Sequence, residues 1–324
     1  MQKLFMAISL LLVAAVVCPA QVTLNFNSLP SAQGWTYTTS GPAESSFGVG
    51  QTTPIFSVDG TTLHQNTIGT GLGPGGTAFE YYIRYGAVDP TKPFILDVRS
   101  RVLQSQHLDS GGFNFGVFTG TEIFEIFMDT STIQDAFQTT IAVIDNTFFH
   151  DYRLEATPGV GYKLFVDGTL VATGPPSAAA SLPDQLFIGD GTSGGNAKAD
   201  VTFYRFSEAY NVCLLYDPTK AAKSGSTIPI KLQLCDGSGG QDLSSSSITA
   251  HAVSITQVSS LISGAVQDSG NANPDNDFRF DSSLGNTGGY IFNLSTSGLT
   301  TGTYNLNFTV TGDLFVYSAP FQVK

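Results

Sequence analysis

The feature that most constrains this chain is a long series of short runs rich in β-branched and aromatic residues. Gly, Pro, Asp or Ser interrupts these runs about every ten residues. No stretch of ten residues after residue 20 has a helical pattern. The clearest early runs are 79–85, 94–103, 113–118, 122–128 and 139–144. The pattern therefore predicts an all-β protein.

The spacing of these runs predicts two β-sandwiches joined near residue 210. Residues 21–209 contain about twelve runs, a number typical of a two-sheet jelly-roll sandwich. Asp167-Gly168 lies between two of them and predicts a tight hairpin. Residues 210–324 contain about seven further runs, the size and rhythm of an immunoglobulin-like sandwich.

Several motifs in the first region carry a family resemblance. The segments His150-Asp-Tyr-Arg-Leu154, Tyr162-Lys-Leu-Phe-Val-Asp-Gly168, Ile188-Gly-Asp-Gly191 and Val201-Thr-Phe-Tyr-Arg205 resemble the second half of a concanavalin A-like, laminin-G-type jelly roll. The resemblance covers about residues 22–209. It implies a lectin-like module, an adhesive module or a glycoside hydrolase, because that fold hosts all three.

The second region has its own resemblance. Pro229-Ile-Lys231-Leu232, Asp277-Phe-Arg-Phe280 and Leu299-Thr-Thr-Gly-Thr-Tyr304 are similar to bacterial extracellular domains named for a Pro-x-Lys-Phe motif. Leu232 stands where that motif has Phe. The resemblance covers residues 211–324 and implies an Ig-like spacer or accessory module.

The N-terminus has the layout of a secretory signal peptide. Lys3 precedes an apolar run over 4–17, and Cys18-Pro19-Ala20 supplies small residues before a predicted cut after Ala20. A membrane anchor is the weaker alternative, because about 20 apolar residues are needed to span a bilayer. Lipidation of Cys18 is a third interpretation. We therefore expect residues 1–20 to be removed and the mature chain to be secreted or held at the cell surface, without a membrane span.

Two cysteines remain after that cut, Cys213 and Cys235. An even pair in an exported protein predicts a disulfide bond, and the alternative is two buried free thiols.

The charge balance excludes one class of partner. The chain has 14 basic and 26 acidic side chains, a net charge of −12. Non-specific nucleic-acid binders need a surplus of Lys and Arg to neutralise phosphates, so no nucleic-acid partner is expected.

Catalysis has only a weak candidate. Retaining glucanases of the concanavalin-like fold carry alternating carboxylates on a central strand, and Glu125 and Asp129 are the residues here that come nearest to this pattern. That chemistry needs two carboxyl groups about 5–5.5 Å apart. Phe127 occupies the middle position, so the signature is broken. We expect no enzymatic activity, with an atypical glycoside hydrolase as the alternative.

Binding is the better hypothesis. Asp97, Arg99 and Arg101 alternate with apolar residues along one predicted strand, and Asn114 and Glu125 are expected beside them if pairing keeps register. Three charges on one strand face require solvent or partners, which predicts a wet groove. The expected ligand is carbohydrate or an extracellular-matrix polymer, and the expected partners are carbohydrate or an extracellular protein. A solvated face with Arg–Asp pairs is the alternative, as is an adhesive spacer that binds no small ligand.

Trp35 is the only tryptophan and lies in a segment rich in Gly, Ser and Thr. Two roles are open for it, a stacking platform for a ligand or a plug at the end of the sandwich.

Calcium is the one cofactor that the sequence suggests. Asp190, Asn196 and Asp200 flank a Gly-rich loop and offer oxygen ligands, although turn formation alone explains many such loops.

Overall fold

The computed structural model describes residues 21–70, 79–107, 110–178, 182–192, 194–235, 242–260, 262–267, 273–285, 287–311, 313 and 315–324. The predicted signal peptide, residues 1–20, lies outside them. Short 3₁₀ turns at Pro30–Gln33 and Pro274–Asn276 are the helical segments of the described chain. Among these residues, no helix is both long and apolar enough to cross a bilayer.

The strands of the first region are numbered in chain order. They are β1 (Val22–Thr23), β2 (Thr36–Thr39), β3 (Phe56–Val58), β4 (Leu63–Asn66), β5 (Glu80–Tyr85), β6 (Phe94–His107), β7 (Phe113–Phe118), β8 (Glu122–Met128), β9 (Thr132–Asp135), β10 (Thr140–Val143), β11 (His150–Thr157), β12 (Gly161–Val166), β13 (Thr169–Gly174), β14 (Ser177–Ala178), β15 (Gln185–Asp190) and β16 (Gly195–Glu208).

These strands form two antiparallel sheets packed face to face. Sheet A has the order β13-β12-β11-β6-β16-β4-β3, with β1 paired to β16, and sheet B has the order β10-β9-β8-β7-β15-β5-β2, with β14 paired to β8. One hydrophobic cluster fills the space between them. Leu96 and Val98 of β6 and Phe113 and Phe115 of β7 belong to it, which places the alternate residues of these strands on the outer faces.

The centre of sheet A is a pair of 14-residue strands, β6 and β16. They pair along their whole length, with two irregularities of register between Lys198 and Ala199 and between Val201 and Phe203. On its other side β6 pairs with β11. Side chains of three neighbouring strands therefore meet on the outer face of sheet A.

The second region contains β17 (Asn211–Leu214), β18 (Thr227–Cys235), β19 (Ala250–Gln257), β20 (Ser263–Gly264), β21 (Arg279–Asp281), β22 (Gly289–Ser295), β23 (Gly302–Val310) and β24 (Val316–Val323). Sheet C has the order β17-β18-β22-β21, and sheet D has the order β20-β19-β23-β24. A separate hydrophobic cluster lies between these sheets, built around residues such as Leu232, Tyr290, Phe292 and Phe308.

The predicted all-β class with two sandwiches is confirmed. The predicted disulfide is confirmed as well, because Cys213 and Cys235 are bonded across the neighbouring strands β17 and β18. Assignment of the second sandwich to the Pro-x-Lys-Phe family stays a prediction, as does the division of the chain into 21–209 and 210–324.

Candidate functional site

Asp97 is the centre of an ion-pair network on the outer face of sheet A. Its two oxygens accept hydrogen bonds from Arg153 Nε at 2.8 Å and Arg205 Nη2 at 2.9 Å. Arg153 and Arg205 are its direct cross-strand partners on β11 and β16. The Asp97 carboxylate is buried, and two guanidinium groups offset the free-energy cost of that burial.

The next two charges along β6 are paired in the same way. Arg99 Nη1 lies 2.9 Å from Asp151 Oδ1, and Arg101 Nε donates to Asp200 Oδ2 at 2.8 Å. His64 Nδ1 lies 2.7 Å from the other oxygen of Asp200. We call this set the charge ladder: residues 97, 99, 101, 151, 153, 200 and 205. The expectation that Asp97, Arg99 and Arg101 share one face agrees with the register.

Aromatic rings lie against the guanidinium groups of the charge ladder. The Arg101 guanidinium carbon lies 4.5 Å from the centre of the Phe149 ring, and that of Arg205 lies 5.6 Å from the Phe203 ring. Cation–π contacts of this kind hold an arginine in place while leaving part of the ring exposed. Phe203 is 38% exposed to solvent.

A groove of about 500 Å³ opens beside Asp97 on this face. Its charged lining residues are Asp97, Asp151, Arg153, Glu155 and Arg205, and the phenylalanines Phe165 and Phe203 also line it. The lining offers hydrogen-bond donors and acceptors in fixed positions together with apolar ring surface. That combination suits a small polar ligand with an apolar face.

Glu125 and Asn114 do not join this groove, contrary to expectation. They lie on β8 and β7 of sheet B, and Asn114 Nδ2 donates to Glu125 Oε1 at 2.5 Å. Asn114 Oδ1 also accepts the Gly191 amide, so this buried side chain ties β7 to the loop after β15. Burial raises the pKa of Glu125 to about 8, and the Asn114 hydrogen bond opposes that rise. Alternation along a strand predicts which residues share a face, but not which sheet receives the strand.

The Asp129 side chain forms hydrogen bonds within a turn. Its carboxylate accepts the backbone amides of Ser131 and Thr132, both at 2.6 Å, and the Thr132 hydroxyl at 2.7 Å. Burial acts to raise the pKa of Asp129, but these hydrogen bonds outweigh burial and hold the pKa below its ordinary value. Phe127 separates Asp129 from Glu125 along the chain. The two carboxyls therefore have different environments, and the Asp129 carboxylate is hydrogen-bonded to residues of the turn between β8 and β9.

Trp35 lies in the core, where it cannot serve as a stacking platform for a ligand. Its side chain is 4% exposed and meets the Tyr204 ring edge to face, with 5.4 Å between centroids. The second role open to this residue, packing inside the sandwich, is the one observed.

The three calcium candidates do not form one site. Asp200 belongs to the charge ladder, and its two oxygens contact Arg101 and His64. Asp190 ends β15 in sheet B, on the inward side with the core residue Ile188. Asn196 lies near the start of β16. Within the described ranges, no group of three or more His, Cys, Asp or Glu side chains is arranged to hold a metal.

The sequence did not predict the residues that pair with Asp97 and Arg99 in the charge ladder. Asp151 and Arg153 alternate on one strand, and Phe203 and Arg205 on another, so the signal was present inside the two motifs 150–154 and 201–205. Their pairing with β6 depends on register between strands that are far apart in sequence.

Comparisons with known proteins return only distant structural similarity. No protein-family model and no curated protein matches the chain. A sialidase is 10% identical with a TM-score of 0.42, over 58% of this chain and 18% of its own length. The apo Crh5 transglycosylase is 14% identical with a TM-score of 0.39, over 59% and 88%. The metal-free Emp46p carbohydrate recognition domain is 11% identical with a TM-score of 0.32, over 54% and 88%. The chain thus spans under a fifth of the sialidase. Similarity at this level identifies neither a family nor an activity.

Proposed function

We propose that the first sandwich binds carbohydrate in the groove beside Asp97 and acts there as a binding module without catalysis. The observation that carries the proposal is the groove itself, where ion-paired side chains in fixed positions lie next to the half-buried Phe165 and the exposed Phe203. A site whose polar groups are already held in place loses little conformational entropy when a ligand binds.

The chemistry of the lining favours a sugar without acidic groups. Carboxylate and guanidinium groups exchange hydrogen bonds with hydroxyls, and the faces of Phe165 and Phe203 offer apolar surface to the C–H groups of a sugar ring. Three acidic and two basic side chains line the groove, so positive charge is not in excess. A phosphate or sulfate group would need such an excess.

A glycoside hydrolase is the second candidate, and one observation favours it. With a pKa of about 8, Glu125 keeps its proton at neutral pH, which a general acid requires. Against it, retaining hydrolysis needs a second carboxyl about 5–5.5 Å away, and the Asp129 carboxylate is held by the turn that follows β8.

We propose in addition that the protein is exported, that it remains outside the cell or at its surface, and that the second sandwich is a spacer. The Cys213–Cys235 disulfide supports export, because such bonds persist in oxidising compartments. The signal-like sequence 1–20 supports it too, with lipidation of Cys18 as the alternative fate.

The test is a glycan array and a panel of matrix proteins probed with the mature chain and two variants. Phe203→Ala should weaken binding to the recognised glycan about tenfold, because it removes an exposed ring from the groove. Leu170→Ala is the matched control: Leu170 is an exposed apolar residue on β13 of the same sheet, outside the groove. Equal binding by both variants, or binding to matrix proteins alone, would contradict the proposal.

The hydrolase alternative has its own measurement. Release of reducing sugars from β-glucans that is abolished by Glu125→Gln would establish catalysis at the sheet B carboxyl. Binding without any such release, unchanged in Glu125→Gln, is the result expected for a binding module.

A further inference from the structure

A second group of polar residues lies inside the first sandwich, away from the groove. Glu80 on β5 and Asp190 on β15 are direct cross-strand partners in sheet B. They point inward, on the same strand faces as the core residues Tyr82 and Ile188, and both are 0% exposed. Directly opposed residues of an antiparallel pair have Cβ atoms about 4.5–5.5 Å apart, so the two carboxyls are neighbours.

Three of the four carboxyl oxygens have no partner. Both oxygens of Glu80 and Oδ1 of Asp190 are buried without a hydrogen bond, and Asp190 Oδ2 accepts the Thr67 hydroxyl at 2.6 Å. Over the ranges that the structure describes, no Lys, Arg or His forms an ion pair with either side chain. Buried carboxylates elsewhere in this sandwich do have partners: Asp97 has two arginines, and Glu208 accepts the Asp89 amide.

Two adjacent buried carboxyls without a positively charged partner are costly in free energy when ionised. The residues that the structure describes provide no positive charge for the pair, and a cation from solution would compensate it.

The oxygen chemistry indicates which cation fits. Carboxylates and neutral oxygens are the ligands of hard divalent ions, and Ca²⁺ takes six to eight of them. Thr67 already contacts Asp190, and the Thr70 hydroxyl, buried without a partner, lies one turn further along the same segment. This segment follows β4 of sheet A, so an ion held here would connect the two sheets.

We propose that Glu80 and Asp190, with the hydroxyl of Thr67, form an internal binding site for calcium. The site differs from the loop suggested by the sequence: it retains Asp190, replaces Asn196 and Asp200 with Glu80, and lies between the sheets. It is independent of the carbohydrate proposal, because none of its residues lines the groove.

The test uses the mature full-length chain at pH 8. After treatment with a chelator, calorimetric titration with CaCl₂ should give a single calcium ion per chain, and CaCl₂ should raise the thermal midpoint. Terbium bound in place of calcium should luminesce on tyrosine excitation, because Tyr82 lies two residues from Glu80 on the same strand face.

Three variants test the ligands. Glu80→Gln and Asp190→Asn should each weaken calcium binding at least about tenfold, because each removes a charged ligand. Without calcium, the thermal midpoint of each variant should equal or exceed that of the wild type, because each substitution removes a buried charge without a cationic partner. Such a midpoint would also show that the variants fold. Glu208→Gln is the matched control. Glu208 is a buried carboxyl at the end of β16 and is not part of the proposed site, so this variant should bind calcium like the wild type.

Two results would overturn the proposal. One is a wild-type chain that takes up no calcium at pH 8 and has the same thermal midpoint in chelator and in CaCl₂. The other is calcium binding that Glu80→Gln and Asp190→Asn leave intact, since the ion would then bind elsewhere.

Discussion

At the scale of single residues, the fate of a buried polar side chain depends on whether the fold provides it with partners. Asn146 is fully buried and has its side-chain groups satisfied: its amide donates to the Asp129 and Thr132 carbonyls, and its oxygen accepts the Tyr152 hydroxyl at 2.9 Å. Glu125 accepts a hydrogen bond from the Asn114 amide, and among the residues that the structure describes no Lys, Arg or His forms an ion pair with it. Asn146 should therefore stabilise the fold at any pH, while the contribution of Glu125 to stability should depend on pH.

Replacing Asn146 by Ala should be strongly destabilising. Two buried carbonyls and the Tyr152 hydroxyl would lose their partner, and we expect the free energy of unfolding to fall by about 2–3 kcal/mol. Tyr152→Phe loses one of these hydrogen bonds and should cost only about 1 kcal/mol. Urea denaturation of the two variants measures both values, and equal losses would contradict the assigned role of Asn146.

Glu125 should make the protein less stable as pH rises from about 5 to 8. Its pKa is about 8 in the folded chain against an ordinary value of 4.5, so the folded state keeps a proton that the unfolded state releases between these values. Stability conferred by the protonated group is complete below pH 4.5 and is lost as pH rises through the folded-state pKa.

The check is urea denaturation of wild type and Glu125→Gln at pH 5, 6.5 and 8. The variant cannot ionise at this position and should lose less stability over the range. Glu80 and Glu208, with pKa values of about 7, and Asp190, whose pKa burial raises well above its ordinary value, contribute to the slope in both proteins. Identical slopes in the two proteins would show that Glu125 is ionised in the folded state throughout.

At the scale of elements, strand patterns were predictable and strand partners were not. The alternation of Asp97, Arg99 and Arg101 with core residues predicted their common face, because side chains of a strand alternate with a period of two. The sheet that holds Glu125 is decided by pairing between distant strands, which local alternation does not encode. The sequence does not decide the role of Trp35 for a related reason: Trp35 follows the turn at Pro30–Gln33, and only the tertiary fold brings it onto Tyr204.

The β12–β13 hairpin was predicted from two residues and offers an element-scale test. Asp167 and Gly168 both have positive φ, +50° and +78°, as the predicted two-residue turn requires. A Cβ at Gly168 would meet nothing within 4 Å, so Gly168→Ala would change only the backbone preference. We expect a loss of about 1 kcal/mol in the free energy of unfolding.

Gly264→Ala is the control for the hairpin. Gly264 ends β20, has no positive φ, and would likewise place an added Cβ in open space. This variant should leave stability unchanged or raise it slightly, because alanine restricts the unfolded chain. Urea denaturation compares the two, and a Gly168→Ala variant as stable as the wild type would contradict the turn assignment.

At the scale of the whole molecule, the described part of the chain contains two hydrophobic clusters that share no residue. One lies between sheets A and B, the other between sheets C and D. The Cys213–Cys235 bond belongs to the second region alone and closes a loop with a sequence separation of 22. A separate core in each region is the physical condition for independent folding. We therefore expect 21–209 and 210–324 to unfold as separate units.

Calorimetry under oxidising and reducing conditions tests this division. The mature chain should show two transitions, and the fragment 21–209 should reproduce one of them at the same temperature. A reductant should lower the midpoint temperature of the other transition alone, which belongs to residues 210–324. Opening the disulfide loop removes about 3 kcal/mol of stability by the loop-closure argument. A single transition whose midpoint temperature falls on reduction would show instead that the two sandwiches unfold together. The second sandwich would then belong to the folding unit that carries the groove.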